Sequence, residues 1–344
     1  MDTVSGGRAP AGGTKQIILR VVAFVMAAGL LYFAFAGTDF AQAWKHALTA
    51  NPLYIAIMCV ACLLGHILRA WRWIYLLEPI GNRKVSLWNS FCAVILGYAV
   101  NVPIPRGGEV VRLVSLSKSE NLPWAGVLPT MLIDRMLDLV MLGLLIGLTL
   151  ALLPANLVPQ AVVSAGVLVA VGSIAGLVAL PWMGKFIRIF LGVKLVSEKL
   201  PPALATKLQA LAGDFEIGTK SLTNLITWPL IAGQTVAIWV CYWLQLYMGV
   251  FAFHLEAQID AVKALTIFAI SSVSVLIPTP GSVGTYHAAV KEALITIGGL
   301  PKDGNLAVAF ASVVHIFGFI LVPCITAAIC IGIQSSSTAK SQKA

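Results

Sequence analysis

The sequence contains few charged side chains. Only 11% of its 344 residues are Asp, Glu, Lys or Arg, whereas charged residues make up about 25% of an average soluble domain. Hydrophobic residues account for 59%, which leaves too little polar surface to cover a soluble core. This composition excludes a soluble globular protein and predicts an integral membrane protein. The net charge of +9 then points to cytoplasmic loops and anionic lipid headgroups, and no nucleic-acid partner is expected.

The sequence also lacks the residue patterns of common enzymes and metal sites. It has no Ser-His-Asp set, Walker loop, HExxH motif or Gly-rich dinucleotide turn, and the segment Gly281 to Gly284 is one residue too short for a nucleophile elbow. The six cysteines lie in apolar stretches without a histidine at metal-ligand spacing, so Cys59-x-x-Cys62 is interpreted as small packing residues. We therefore expect no enzymatic activity, no cofactor and no bound metal.

Long apolar runs predict an all-α polytopic fold with about six spanning helices. The first run, residues 17–36, is longer than the apolar core of a signal peptide, which favours an uncleaved helix. Five more spans are expected at about 53–76, 125–153, 161–180, 228–252 and 306–331. We expect a single transmembrane domain over 17–333, preceded by a disordered cytoplasmic arm (1–16) and followed by a cytoplasmic tail (334–344).

A connecting segment of mixed polar and apolar residues, 181–227, separates the fourth and fifth spans. Its apolar positions recur at three and four residues, as in Phe186, Ile189 and Phe190, and it carries six basic residues. This periodicity predicts an amphipathic helix on the membrane surface.

Two Pro-x-Pro segments followed by glycines lie 175 residues apart, starting at Pro103 and Pro278. Each follows an apolar run too short to cross a bilayer, and each comes 50 or 51 residues after the start of a spanning helix. Interrupted hydrophobic segments at matching places in two halves indicate a transport site near the midplane. The sequence therefore predicts two repeats, about 52–153 and 228–332, each containing a re-entrant helix pair broken at its Pro/Gly turn.

The distribution of basic residues predicts the topology. With a cytoplasmic N-terminus and two re-entrant units, 18 of the 23 basic residues lie inside, and the uncharged segment 154–160 lies outside. The second and fifth spans then run in opposite directions, so the repeats are inverted. The alternative is that each apolar run spans the membrane and the Pro-x-Pro turn lies in an external loop.

Three charged residues follow the first turn at intervals of three. On a helix that starts near Pro105, Arg106, Glu109 and Arg112 form one stripe. Glu109 can pair with either arginine, which leaves one guanidinium to bind phosphate, and open N–H groups near Gly107 and Gly108 would also favour an anion. The alternative is an ion-pair lock that only stabilises the re-entrant loop.

The third span carries Asp134, Arg135 and Asp138, with the two aspartates on one face. Asp134 is expected close enough to the cytoplasmic side to meet Arg106 and Arg112. These charges are either counter-charges in a gate or structural partners of the neighbouring arginines.

The second turn is expected to line the same groove through Pro280, Gly281, Tyr286 and His287. At the repeat offset, His287 corresponds to Arg112. A histidine titrates near neutral pH and could couple transport to a proton. The alternative is a histidine that is simply hydrogen-bonded within an apolar helix.

Three segments together resemble the signatures of a known family. They begin at Pro105 (PRGGEVVR), Asp134 (DRMLD) and Pro278 (PTPGSVGTYH), and they resemble the lysylphosphatidylglycerol synthase transmembrane-region family of prokaryotic flippase-like proteins. The resemblance implies a lipid-translocating module, which in the best-known members moves an aminoacylated phosphatidylglycerol across the cytoplasmic membrane. Those members also carry a soluble aminoacyl-transferase domain after the membrane part. This chain ends within about a dozen residues of its last predicted helix, so synthase activity is not expected.

The sequence thus favours a lipid flippase-like transporter of an anionic or phosphate-bearing lipid. The expected location is the cytoplasmic (inner) membrane of a prokaryote, with both termini cytoplasmic. The alternative is a non-transporting partner of a lipid-modifying or glycolipid-synthesis enzyme. Expected protein partners are such an enzyme or further copies of the chain.

Overall fold

A computed structural model describes residues 37–81, 85–152, 160–192, 201–223 and 226–341, with four single positions between 25 and 35. All regular elements in these ranges are helical, which confirms the predicted all-α fold. The arm 1–16 and most of the first predicted span, 17–36, lie outside the described residues.

The first half begins with a short helix and continues with two long helices that flank two short ones. These helices are α1 (Phe40–Leu48), α2 (Pro52–Gly81), α3 (Leu87–Asn101), α4 (Gly107–Ser119) and α5 (Trp124–Leu152). Both α2 and α5 are long and apolar enough to span a membrane, whereas α3 is apolar but too short.

The connection between the halves is helical as well. It consists of α6 (Gln160–Gly192), α7 (Pro202–Thr219) and a 3-10 turn (Lys220–Thr223). The predicted fourth span and the start of the predicted surface helix therefore belong to one helix, α6. Its axis bends by 62° between Leu180 and Trp182. The residue between them in the sequence is a proline, a residue type that lacks a backbone N–H and is found at helix kinks.

The second half repeats the order of the first. Its helices are α8 (Trp228–Ala252), α9 (Ala261–Ser274), α10 (Thr285–Thr296), α11 (Asn305–His315) and α12 (Val322–Ser341), with a π-helical turn (Ile316–Leu321) joining the last two. Here α8 and the continuous segment Asn305–Ser335 can span a membrane, and α9 is again too short. The described residues contain four candidate spans, or five if the bent α6 counts as one.

The two long helices α2 and α8 pack along each other and run in opposite directions. At one end the backbone N–H of Asn51 donates to the carbonyl of Ala252 at 2.8 Å. At the other, Arg72 donates to the hydroxyl of Thr235 at 2.9 Å. This antiparallel arrangement confirms the opposite directions expected for corresponding helices of inverted repeats.

The short helices begin in two different ways. Ser86 caps α3 and Asp260 caps α9 by accepting hydrogen bonds from backbone N–H groups of the first turn. The helices after the two Pro-x-Pro segments, α4 and α10, instead follow residues in left-handed conformations, Arg106 (φ 59°) and Gly284 (φ 86°). Prolines without an N–H, together with these left-handed residues, end one helix and start the next within a few residues.

The two Pro-x-Pro turns lie against each other. A guanidinium N–H of Arg106 in the first turn donates to the carbonyl of Leu276, just before the second, at 3.2 Å. A Cβ added to Gly281 would lie 3.5 Å from the carbonyl oxygen of Val102. The matching segments of the two halves therefore meet at one place in the molecule.

Candidate functional site

Five charged side chains form a buried cluster beside the first turn: Arg69 and Arg72 of α2, Arg112 of α4, and Asp134 and Asp138 of α5. We call these residues the arginine–aspartate cluster. Asp134 is fully buried and accepts from all three arginines at 3.0, 2.6 and 2.9 Å. Asp138 accepts from Arg69 at 2.7 Å and from Arg72 at 2.9 Å. Three guanidinium groups facing two carboxylates leave the cluster with one excess positive charge.

Helical spacing brings these groups together. Arg69 and Arg72 are three residues apart on α2, so they lie on one face of that helix. The two aspartates are four residues apart on α5, so they also share a face, and the two faces lie opposite each other. The second half also contributes, because Arg72 donates to the Thr235 hydroxyl and Arg69 Nε donates to the Tyr242 hydroxyl at 3.2 Å. The cluster therefore ties both halves of the molecule together.

Arg112 is the incompletely paired member of the cluster. One terminal nitrogen donates to Asp134 at 2.9 Å, but Nε and the other terminal nitrogen, both buried, have no acceptor among the described residues. The guanidinium carbon lies 3.9 Å from the centre of the Trp73 ring, and the Trp73 indole N–H donates to Thr130 at 2.9 Å. Stacking on an anchored ring fixes the guanidinium plane. The unpaired edge has the fork geometry that suits a phosphate or carboxylate.

Glu109 does not pair within the predicted stripe. Its carboxylate accepts from Arg135 of α5, and the two side chains are 34% and 40% exposed. On α5, Asp134 pairs with Arg112, and the next residue, Arg135, pairs with Glu109. Contacts between helices therefore replace the expected contact along α4. The prediction that Glu109 pairs with Arg106 or Arg112 is wrong.

Arg106 lies apart from the cluster contacts. It is exposed, precedes α4 in a left-handed conformation, and donates to the Leu276 carbonyl of the second half. Of the two arginines expected near Asp134, the described contacts bring Arg112 to it. Arg106 instead links the two turns.

Gly107 and Gly108 do not leave open N–H groups at the start of α4. The N–H of Gly107 donates to the Ile104 carbonyl at 3.0 Å, and that of Gly108 donates to the Asn101 side chain at 2.9 Å. A Cβ on Gly108 would lie 1.8 Å from the carbonyl oxygen of Gly97. Gly108 therefore allows α3 and α4 to pack closely. The expectation of open N–H groups is wrong, and a role of Gly107 and Gly108 in binding substrate stays a prediction.

A second polar group lies at the other turn. Pro280 and Gly281 belong to a 3-10 turn, and the Gly281 carbonyl lies 2.7 Å from Nε2 of His315. The ring of His287 lies 4.8 Å from that of His315, and Tyr286 packs against both. All three rings are buried. This histidine pair places His287 beside the second turn, as expected, and proton coupling by His287 stays a prediction.

Comparison with known proteins agrees with this architecture. The sequence model described as "Lysylphosphatidylglycerol synthase TM region" matches residues 17–325. The chain belongs to that family. It is similar to a UPF0104 membrane protein of Methanocaldococcus jannaschii, with 27% identity over 128 residues, which cover 36% of this chain and 37% of that protein. No solved structure matches. With its apolar helices, this family member is a multi-pass membrane protein.

Sequence reasoning missed several residues of the site in this family member. Arg69 and Arg72 lie within the predicted second span, and two arginines three apart in an apolar helix indicate a buried ionic contact. Thr235, Tyr242 and His315 carried no local signal, because their partners lie between 34 and 173 residues away. Only the packing of helices that are distant in sequence identifies them.

Proposed function

We propose that the protein is a lipid flippase-like transporter that moves an anionic or phosphate-bearing lipid between the leaflets of the cytoplasmic membrane. The observation that carries this proposal is the unpaired edge of Arg112 in a buried cluster with excess positive charge. A phosphate headgroup would complete that edge and balance the charge, while the lipid tails stay in the bilayer.

Physical chemistry favours a ligand at this edge. Buried hydrogen-bond donors without acceptors are destabilising, and charged donors more so than neutral ones. Ionisable groups within membrane domains by default mark substrate pathways. Because Trp73 holds the Arg112 plane, a phosphate would meet a donor fork that is already oriented.

The present conformation covers the proposed site. Arg112 is only 3% exposed, so a headgroup can reach it only if α4 moves relative to α5 or α3. The half-exposed Glu109–Arg135 pair joins α4 to α5, and the Arg106–Leu276 contact joins the two turns. We propose that these two contacts open and close the route to Arg112 during transport.

A non-catalytic role and an orientation in the membrane are part of the same proposal, and the distribution of basic residues favours that orientation. We propose that the protein transports without chemical change of the lipid and that both termini face the cytoplasm of a prokaryote. The alternative, a non-transporting partner of a lipid-modifying enzyme, is favoured by one observation, the near-complete pairing of the cluster among its own members.

Lipid exchange in proteoliposomes distinguishes the two candidates. We expect the protein to accelerate leaflet exchange of labelled phosphatidylglycerol and to leave labelled phosphatidylcholine nearly unchanged. Arg112→Lys keeps the charge that pairs with Asp134 but removes the fork. It should lower exchange about tenfold or more, because hydrogen bonds to charged groups contribute about 1.5–3 kcal/mol each.

The matched control is Lys118→Gln, an exposed position on the same helix, which should exchange lipid like the unchanged protein. Full exchange by Arg112→Lys would overturn the assignment of Arg112 as a headgroup ligand. A folded protein that moves none of a broad panel of anionic and polyisoprenyl-phosphate lipids would favour the partner role.

A further inference from the structure

A charged cleft lies between α7 and the part of α6 beyond its bend, in the connection that the transport proposal does not use. Its volume is about 600 Å³. Side chains from both helices and the following 3-10 turn line it: Trp182, Lys185, Arg188, Glu216, Thr219 and Lys220.

Positive charge dominates the cleft. Three of its side chains are basic and one is acidic. Glu216 accepts a hydrogen bond from Arg188, which remains 52% exposed. The ammonium group of Lys185 lies 5.7 Å from the centre of the Trp182 ring. An anion in this cleft would therefore meet a basic surface beside an aromatic ring.

The helices that form the cleft approach their neighbours closely at two glycines. A Cβ on Gly184 of α6 would lie 2.3 Å from Cγ of Glu216 and 3.0 Å from the Ala212 carbonyl oxygen, so α6 and α7 touch there. A Cβ on Gly218 of α7 would lie 2.2 Å from the carbonyl oxygen of Gly126, which fixes α7 against α5. The cleft is thus part of the packed structure and is attached to a spanning helix.

The surface leading into the cleft is apolar. Before the bend, Val171, Ile174 and Val178 of α6 are 60%, 51% and 67% exposed, as expected for side chains that face lipid tails. After it, Phe186 and Phe190 are 68% and 63% exposed. Aromatic and basic residues at the end of a lipid-facing run are typical of the headgroup region of a membrane.

We infer that this cleft binds the headgroup of an anionic phospholipid, whose tails lie along the exposed apolar face of α6. The phosphate would meet the basic residues of the cleft, and Trp182 would contact the glycerol region. The bend of 62° turns the basic part of α6 out of the direction of the apolar part, which would let the basic part lie along the headgroups while the apolar part faces the tails. The site is separate from Arg112, and the inference does not depend on transport.

Lipid binding to the purified full chain in a neutral detergent tests this inference. Native mass spectrometry would count bound phosphatidylglycerol, with phosphatidylcholine and inorganic phosphate as comparison ligands. We expect tight binding of phosphatidylglycerol, weak binding of phosphatidylcholine, and no competition by millimolar phosphate, because the tails contribute to binding. Equal binding of both lipids, or displacement by free phosphate, would overturn the assignment to an anionic lipid.

The double variant Lys185→Gln with Lys220→Gln should weaken phosphatidylglycerol binding about tenfold or more, since each basic residue near an anionic lipid surface contributes about a factor of five. The matched control is Lys118→Gln with Lys207→Gln, two exposed lysines that do not line the cleft, and it should bind normally. Replacing Lys185 and Lys220 by arginine should preserve binding, which separates a charge effect from a folding defect.

Arg112→Lys should also keep this binding, so failure of the transport proposal would leave the result unchanged. Unaltered binding by the Lys185→Gln, Lys220→Gln variant would refute the cleft as the lipid site.

Discussion

At the scale of single residues, the buried charges show how close contacts between helices override spacing along one helix. Glu109 and Arg112 are three residues apart, yet each finds its partner on α5. The half-exposed pair contributes little to stability, because water and salt weaken it. Asp134 is fully buried and contacts three arginines, so removal of this carboxylate should destabilise the protein more than removal of Glu109.

The first prediction concerns the two carboxylates of the cluster. Asp134→Asn leaves three buried guanidinium groups facing one carboxylate, and it should destabilise the protein by about 3–5 kcal/mol, the range for breaking a buried ion pair. Asp138→Asn is the matched control. Asp138 is 13% exposed and is bonded to two arginines, so its loss should be smaller. Thermal unfolding of both variants in detergent can be monitored by the loss of the monodisperse peak on heating. Equal losses of stability would contradict the central role of Asp134.

At the scale of elements, the first helix pair depends on the close approach of α3 and α4. The Pro-x-Pro segment and its glycines correctly predicted a break between two short helices. The sequence could not show which glycine is needed for packing, because that depends on the α3 residue opposite. Gly97 supplies the backbone that Gly108 contacts, and Asn101 supplies the hydrogen-bond acceptor.

The second prediction follows from this contact. Gly108→Ala would place a methyl group 1.8 Å from the Gly97 carbonyl oxygen, so the helices must separate, at a cost of at least about 1–3 kcal/mol for overpacking. Gly233→Ala in α8 is the control, because no atom lies within 4 Å of the added methyl group; it should leave stability equal or slightly higher. Melting temperatures in detergent test this prediction. A Gly108→Ala protein as stable as the unchanged protein would refute the close approach of α3 and α4.

At the scale of the whole molecule, the sequence predicted more of the architecture than of the site. The offset of 175 residues and the charge bias indicated two halves of opposite direction, and the α2–α8 contacts agree. Periodicity at Phe186 and Phe190 indicated helix in the connection, which the structure contains. The partners of Arg69 and Arg72 could not be predicted, because no local pattern encodes a contact between distant helices.

The third prediction concerns the topology of the first half. In a cysteine-free background, Glu78→Cys and Ser119→Cys should react with a membrane-impermeant thiol reagent from the same, cytoplasmic side, because a re-entrant pair returns to the side it left. Lys207→Cys should behave in the same way, whereas Glu256→Cys should react in intact cells. Reaction of Glu78→Cys and Ser119→Cys from opposite sides would show that the first helix pair crosses the membrane.

The arginine–aspartate cluster also has a consequence for the order in which the chain is made. Arg72 emerges from the ribosome 62 residues before Asp134, so α2 must enter the bilayer while its two arginines still lack their counter-ions. An arginine at the centre of a membrane helix opposes insertion by about 2.5–3.5 kcal/mol, and by less toward the helix ends. The apolar remainder of α2 must therefore offset both charges until synthesis of α5 supplies their counter-ions.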